Sequence, residues 1–330
     1  MMMKPDTSNP VAGTSPNLLV ATIRKPWIWS YLAALLAFLA TMVLSGGQGA
    51  LSLLYAALTF ASFSVMVGIG QMFVITLGPG NVDLSIPATM TLVATLSLKF
   101  MGSEAGLILP GFLIALIVGL GCGMFNFALI LLLRIPPIIA TLSSSFLYQS
   151  LAIWSNRGLR IKPPEPLAEF STSGVLGLPN LALVALLLAG LAWVVLERAV
   201  VGRWVLAIGQ NLRAAQLSGV PVHAVRFCVY VGSALLAAVT GFLLASFSGG
   251  ANLNMGAEFM LMSIAVVVIG GSSIAGGNSN VPGIWGAALF MFLLVSMLNS
   301  YGLGAGVRLV LTGIIIVTVV IVASKRKHSA

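Results

Sequence analysis

Long apolar runs, each followed within a short polar stretch by the next, decide what this chain can become. A helix that crosses the hydrocarbon core of a bilayer needs about 20 mostly apolar residues. Runs of this kind lie near 27–45, 51–77, 86–101, 107–133, 138–154, 181–198, 224–247, 257–270, 282–300 and 305–323. In lipid, backbone N–H and C=O groups must be satisfied inside the protein, so such runs become helices. The expected fold is an all-α polytopic integral membrane protein of about ten transmembrane helices. Two runs, 86–101 and 257–270, are short for crossing alone. Only 7% of residues are charged and 59% are hydrophobic, against roughly 25% charged in a soluble domain. The 330 residues are therefore one membrane domain at 27–323 and not two soluble ones.

The basic residues order the topology. The net charge is +9, but the charges flank apolar runs and build no basic face, so a nucleic-acid partner is not expected. With the N-terminus inside, the cytoplasmic side collects Lys4, Arg24, Lys25, Arg134, Arg198, Arg203, Arg213, Arg226, Lys325, Arg326 and Lys327. Lys99, Arg157, Arg160, Lys162 and Arg308 fall outside, the asymmetry expected of positive-inside insertion. Residues 1–26, rich in Pro, Ser, Thr and Asn, read as a disordered cytoplasmic tail and not as a cleaved signal. Residues 324–330 read as a second cytoplasmic tail. The protein is expected in a bacterial inner (cytoplasmic) membrane, in contact with the lipid bilayer, with both termini cytoplasmic.

Leu44–Gln48 spells LSGGQ, the signature loop of ATPases that drive membrane transport. No Lys follows a Gly, so no phosphate-binding G-x-x-x-x-G-K-[ST] loop exists. The seven acids do not cluster for Mg²⁺ or for activating water. Between two apolar runs the motif reads as a polar turn. Cys122 and Cys228 lie within apolar runs, and His223 and His328 stand apart, so neither a disulfide framework nor a metal site is expected. No nucleophile–base pair is visible, so the chain is not expected to be an enzyme or to hold a cofactor.

Two Gly-rich interruptions echo one another: VITLGPGNVDLSIP at Val74–Pro87 and VVIGGSSIAGGNSNVPG at Val267–Gly283. Each passes from a β-branched segment through Gly and polar residues to Pro and a new apolar helix. Paired interruptions of this kind suggest a weak internal repeat and discontinuous helices beside a transport path; an ordinary cytoplasmic turn is the alternative. An ionised Asp at the bilayer centre costs roughly 2.5–3.5 kcal/mol on insertion scales, so Asp83 should face a polar cavity, a backbone nest or an interface. Asp83 and Ser85 could cap the helix that follows or touch a solute. Gln71, Asn81, Asn126, Tyr148, Gln149, Asn254, Glu258 and Asn299 are the further pathway candidates. Neutral amides and hydroxyls suit an uncharged polyhydroxylated ligand, and equally join membrane helices to one another. Chains of acids or histidines for proton coupling are absent.

The segment 199–223 carries the most specific local pattern. Asn211 can cap a short helix by accepting from the N–H near Ala214. Gly219 supplies a left-handed end and Pro221 stops continuation. The helix spans about two turns, too short to stand alone in water. Its small residues, Ala214, Ala215 and Ser218, with Gly209 and Arg213 nearby, suit docking into a groove of a soluble partner. A passive amphipathic loop is the alternative.

Four blocks in order make the chain resemble the permease subunits of ribose-type sugar ABC importers, which also carry xylose, galactose, arabinose and autoinducer-2. They are GQMFVITLGPGNVDLSIPATM, FNFALILLLRIPPIIATL, AIGQNLRAAQLSGVPV and VVVIGGSSIAGGNSNVPGIWGA, and the resemblance runs from about 50 to 323. It implies pairing with a second permease copy or a related chain, and an extracytoplasmic (periplasmic or extracellular) sugar-binding protein. It also implies a separate cytoplasmic ATPase that uses ATP and Mg²⁺ and docks on the coupling helix at Asn211–Ser218. The family pattern Gly-Gly-Ile-Asp-Leu-Ser-Val-Gly is altered here by Pro79, Asn81 and Pro87 around an intact Asp83-Leu84-Ser85. A stand-alone secondary transporter or channel, or an ABC permease for branched-chain amino acids or nucleosides, are the rival expectations.

Overall fold

The computed structural model describes residues 26–156, 161–301 and, beyond these, 304, 306, 307, 310, 311, 313, 314, 317 and 318. Helices dominate. The long ones are α1 (Pro26–Leu44), α2 (Ala50–Thr76), α3 (Ile86–Met101), α4 (Ile108–Leu132) and α5 (Pro137–Asn156). A short α6 (Glu165–Thr172) precedes α7 (Asn180–Arg198), and α8 (Val200–Gln210) leads into the six-residue α9 (Leu212–Leu217). Then follow α10 (Val222–Phe247), α11 (Phe259–Ile269) and α12 (Val281–Ser300). Among the described residues, six stretches are long and apolar enough to cross a membrane: Trp27–Leu44, Ala50–Thr76, Ala105–Leu132, Asn180–Arg198, Val222–Phe247 and Val281–Ser300. Ile86–Met101 and Phe259–Ile269 are shorter apolar helices. The expected span at 305–323 and both tails fall largely or wholly outside the described residues.

The stretch between α5 and α7 differs from a plain loop. Besides α6 it carries a two-stranded antiparallel hairpin, β1 (Gly174–Val175) on β2 (Leu178–Pro179), in the register Gly174↔Pro179 and Val175↔Leu178. Leu176 and Gly177 form its tip, both with positive φ, the geometry that matches strand twist across a two-residue turn. Periodicity cannot reveal strands this short.

Helix α10 is the axis of the bundle; α2, α3 and α4 all pack along it. Glycines allow the approach, because apolar side chains gain little from leaving lipid and close backbone packing must supply the attraction. A Cβ at Gly123 of α4 would lie 2.6 Å from Val231 Cα, and one at Gly119 2.5 Å from Ala238 Cβ. Gly241 of α10 likewise rests on the Met90 backbone of α3. The N-terminal helix α1 clasps α12: Tyr31 Oη donates to the Pro282 carbonyl at 2.9 Å and Ser30 Oγ lies against Gly286.

LSGGQ is a turn. Ser45–Gly49 joins α1 to α2, its residues are exposed, and Gly46, Gly47 and Gly49 have positive φ. It sits at one end of the 27-residue α2, about 40 Å from Thr76 at the other end at 1.5 Å per residue.

Candidate functional site

The first interruption, between α2 and α3, turns inward and becomes the anchor of a buried polar network. Asp83 is 2% exposed, Ser85 0%, Gln71 0%, Asn126 0%, Asn81 7% and Tyr148 3%. Asp83 Oδ1 accepts from the Ser85 backbone N–H (3.0 Å) and from Ser85 Oγ (2.6 Å), and Asp83 Oδ2 accepts from Ser233 Oγ of α10 (2.9 Å). The Asp83 N–H donates to Gln71 Oε1 of α2 at 3.3 Å. Asn126 of α4 donates from Nδ2 to Ser85 Oγ (2.7 Å), while its Oδ1 accepts from Ser144 Oγ (2.5 Å) and Tyr148 Oη (2.9 Å) of α5. Asn81 accepts from Tyr230 Oη at 3.2 Å and donates to the Gly78 carbonyl. One carboxylate and its amide and hydroxyl neighbours thus tie α2, α4, α5 and α10 to one irregular segment. Irregular backbone is tolerated among membrane helices when protein satisfies it in this way.

Ser85 does not cap the helix that follows with its side chain, although it occupies the N-cap position of α3. Its hydroxyl is spent on Asp83 and Asn126, and Asp83 holds the Ser85 N–H ahead of the helix. The helix instead starts with Pro at its second position, which has no N–H to satisfy.

The second interruption, Gly270–Asn280, does not mirror the first in depth. It is a turn between α11 and α12, closed by Ser273 N–H to the Asn278 carbonyl (2.9 Å) and Asn280 N–H to Ser272 Oγ (3.1 Å). Its glycines pack on the first interruption and on the end of α8. The Gly277 N–H donates to the Thr76 carbonyl (3.0 Å), and Gln210 Nε2 donates to the Gly277 carbonyl (3.2 Å). Thr76 and Ser279 share a hydroxyl–hydroxyl bond. A Cβ at Gly276 would meet Gly78 Cα at 2.4 Å, and one at Gly209 would meet Thr76 O at 1.9 Å and Gly277 N at 2.3 Å. Three chain segments therefore meet backbone to backbone, directly before α9.

The α9 helix hangs from that junction. Asn211 Oδ1 accepts from the Ala214 N–H at 3.0 Å. At the far end the Val220 N–H reaches the Ala215 carbonyl and the Gly219 N–H the Gln216 carbonyl, both at 3.1 Å, with Gly219 at φ 79°. That pairing around a left-handed glycine is a Schellman end. The six residues face two ways. Ala215 is buried, in a cluster with Val205, Ile208, Val222, Val225 and Tyr230. Arg213, Ala214, Ser218 and Gly219 are exposed. Ala215 and Gly209 thus seat the helix on the bundle and lie off its exposed face. The sequence reading missed Leu217, which is 84% exposed. A bulky apolar residue on a capped surface helix was the available signal.

The remaining pathway candidates gather elsewhere. After α10 the chain does not enter a helix at once. Residues 248–258 double back along α3: Gly256 packs on the Pro87 carbonyl, and Leu253 packs against the cluster that contains Ala88, Leu92 and Tyr148. Gln149, half-buried, donates from Nε2 to the Leu253 carbonyl at 2.8 Å. Asn254 and Glu258 are exposed on this stretch, and the Asn254 N–H donates to Asn252 Oδ1. Helix α11 is therefore bounded on both sides by irregular segments, the doubled-back stretch before it and the Gly-rich turn that begins at its C-cap Gly270. Asn299 is exposed near the end of α12. Among the described residues no group of His, Cys, Asp and Glu could hold a metal ion, and Cys122 and Cys228 are free.

Residues 53–320 match the family described as branched-chain amino acid transport system permease components. The chain is 32% identical over 260 residues, 78% of its own length and 77% of the relative's, to the probable ABC transporter permease protein y4mJ of Sinorhizobium fredii (strain NBRC 101917 / NGR234). It is 30% identical over 258 residues, 76% of its length and 77% of the relative's, to the autoinducer 2 import system permease protein LsrD of Salmonella paratyphi B (strain ATCC BAA-1250 / SPB7). The protein of the same name from Escherichia coli O9:H4 (strain HS) is 31% identical over the same length. No solved structure matches.

Proposed function

The chain belongs to this family of ABC transport permeases, and from that premise we propose that it is the membrane subunit of a binding-protein-dependent importer for a sugar or sugar-like solute. In this reading a separate cytoplasmic ATPase, with ATP and Mg²⁺, drives it, an extracytoplasmic binding protein delivers the solute, and a second permease completes the path. The observation that carries it is the capped α9 helix, exposed on one face and joined through Gly209 and Gln210 to both Gly-rich turns. A rigid-body push on α9 reaches those turns through the main-chain contacts of Gly209 and the Gln210 side-chain bond to Gly277.

The buried network around Asp83 holds the helices together, while Asn254 and Glu258 of the doubled-back stretch offer the polar surface a solute would meet. Both termini and α9 are assigned to the cytoplasm of a bacterial inner-membrane protein, in keeping with the distribution of Arg198, Arg203, Arg213 and Arg226. The relatives named for autoinducer 2 import favour a sugar-like solute; the family's description favours a branched-chain amino acid as the second reading.

Purification from native membranes in mild detergent, with mass spectrometry of the companions, tests the assignment. An ATPase with its own phosphate-binding loop is expected. Proteoliposome uptake with the companion binding protein then separates pentoses and their derivatives from leucine. A folded permease that retains no ATPase under several mild conditions would overturn the importer reading.

A further inference from the structure

A cavity of about 500 Å³ opens between the turn that joins α4 to α5 and the start of α10. Arg134, His223 and Arg226 line it, with Asn81, Phe127 and Ile130. Its polar character is one-sided. The Asn81 amide is already spent on Tyr230 and Gly78. Among the described residues no ion pair holds any of the three basic side chains, and Arg226 Nε is buried with no hydrogen-bond partner. A buried N–H without an acceptor is costly, and Arg226 is also among the residues that line the open volume. The Asp83 carboxylate is engaged by Ser85 and Ser233. Arg134 stands at φ 54°, a left-handed conformation rare for a side chain other than Gly. It turns the chain between α4 and Pro136-Pro137 and leaves Arg134 on the cavity wall.

We propose that this cavity binds a phosphate-bearing anion of the kind an anionic phospholipid headgroup presents. Guanidinium groups match phosphate oxygens in fork geometry. The apolar wall of Phe127 and Ile130 beneath a cationic rim suits an amphiphile, and basic pockets at the ends of membrane helices take such headgroups. A free phosphate offers the same oxygens without the chain. Phe127 and Ile130 also pack on the cluster that seats Ala215, so the bound anion would brace α4 against α10 where α9 is held.

The test uses the full chain in nanodiscs of phosphatidylcholine with a graded fraction of phosphatidylglycerol, read by native mass spectrometry after partial delipidation. Retention of phosphatidylglycerol over phosphatidylcholine is expected on the order of tenfold, falling toward parity in Arg134→Gln/Arg226→Gln. That result identifies a lipid headgroup. A melting temperature raised by inorganic phosphate over chloride at equal ionic strength, without lipid preference and absent in the Gln pair, identifies a free anion. Equal retention of both lipids with no phosphate effect on the unmodified chain overturns the proposal, and so does a preference that the Gln pair keeps. The pair Arg134→Lys/Arg226→Lys preserves charge and should keep an intermediate preference. With the unmodified chain's lipid series, it decides the matter even where the Gln pair fails to fold.

Discussion

Replacing Gly209 by Ala sets two physical arguments against each other. Gly209 lies inside α8, and helix propensity alone makes Ala there better by about 1 kcal/mol. The junction says the reverse. The new methyl would stand 1.9 Å from Thr76 O, 2.3 Å from Gly277 N and 2.9 Å from Gly277 Cα. All three obstacles are backbone, so no side chain can rotate away, and the segments must part by roughly 1.5 Å to reach ordinary contact. The hydrogen bond from Gly277 N–H to Thr76 O occupies the same spot and would be lost. Overpacking costs about 1–3 kcal/mol and the net loss of one hydrogen bond about 0.5–1.5 kcal/mol. Net of the helix-propensity gain, the expected outcome is a destabilisation of about 0.5–3.5 kcal/mol, with uptake lost and ATPase binding kept, because the exposed face of α9 is untouched. The assay is thermal melting of the detergent-purified chain, followed by uptake and ATPase retention in the reconstituted complex. Gly232→Ala and Gly190→Ala, where an added Cβ meets nothing within 4 Å, serve as controls. If Gly209→Ala melts with those controls, or above the unmodified chain, the backbone junction does not exist as described.

Two further substitutions probe the network and the exposed helix. Asp83→Ala would strand the Ser85 N–H and the Ser85 and Ser233 hydroxyls in a buried site, and should cost about 2–4 kcal/mol. Asp83→Asn keeps one acceptor and should cost clearly less; identical melting of the two variants would count against the carboxylate as the organising group. Leu217→Asp should leave melting unchanged, since the side chain is 84% exposed, while abolishing capture of the ATPase in a pull-down. Retained capture at the unmodified level would remove Leu217 from the contact.

The helices were legible because lipid leaves an apolar run one way to satisfy its backbone, and the observed limits of α3 and α12 fall within a residue of the expected runs at 86–101 and 282–300. The ends of α9 were legible for a local reason: an Asn cap and a left-handed Gly act on groups within a few residues. Asp83, Ser85, Asn126 and Tyr148 could be picked out as polar residues in apolar surroundings. Their mutual bonding could not, because the partners stand up to 150 residues apart in the chain, as in Ser233 to Asp83. The doubled-back stretch at 248–258 was hidden for another reason. Its residues are of mixed polarity and follow no period, and only the packing of Gly256 on Pro87 places it alongside α3.

By itself the sequence determined that this chain is a membrane bundle, roughly where its long apolar helices lie, and that one short helix is capped by Asn211 and ended at Gly219. Those properties follow from hydrophobicity, Pro and Gly stereochemistry and side-chain caps, all short-range effects. Only the tertiary structure decided that the second Gly-rich segment is a turn locked against the first, that Ala215 faces inward while Leu217 faces out, and that three basic side chains share one cavity. Each of those depends on which backbones come within van der Waals contact. In a bundle held by glycine-mediated close approach, that choice is made by the packing of distant helices and leaves no period in the chain.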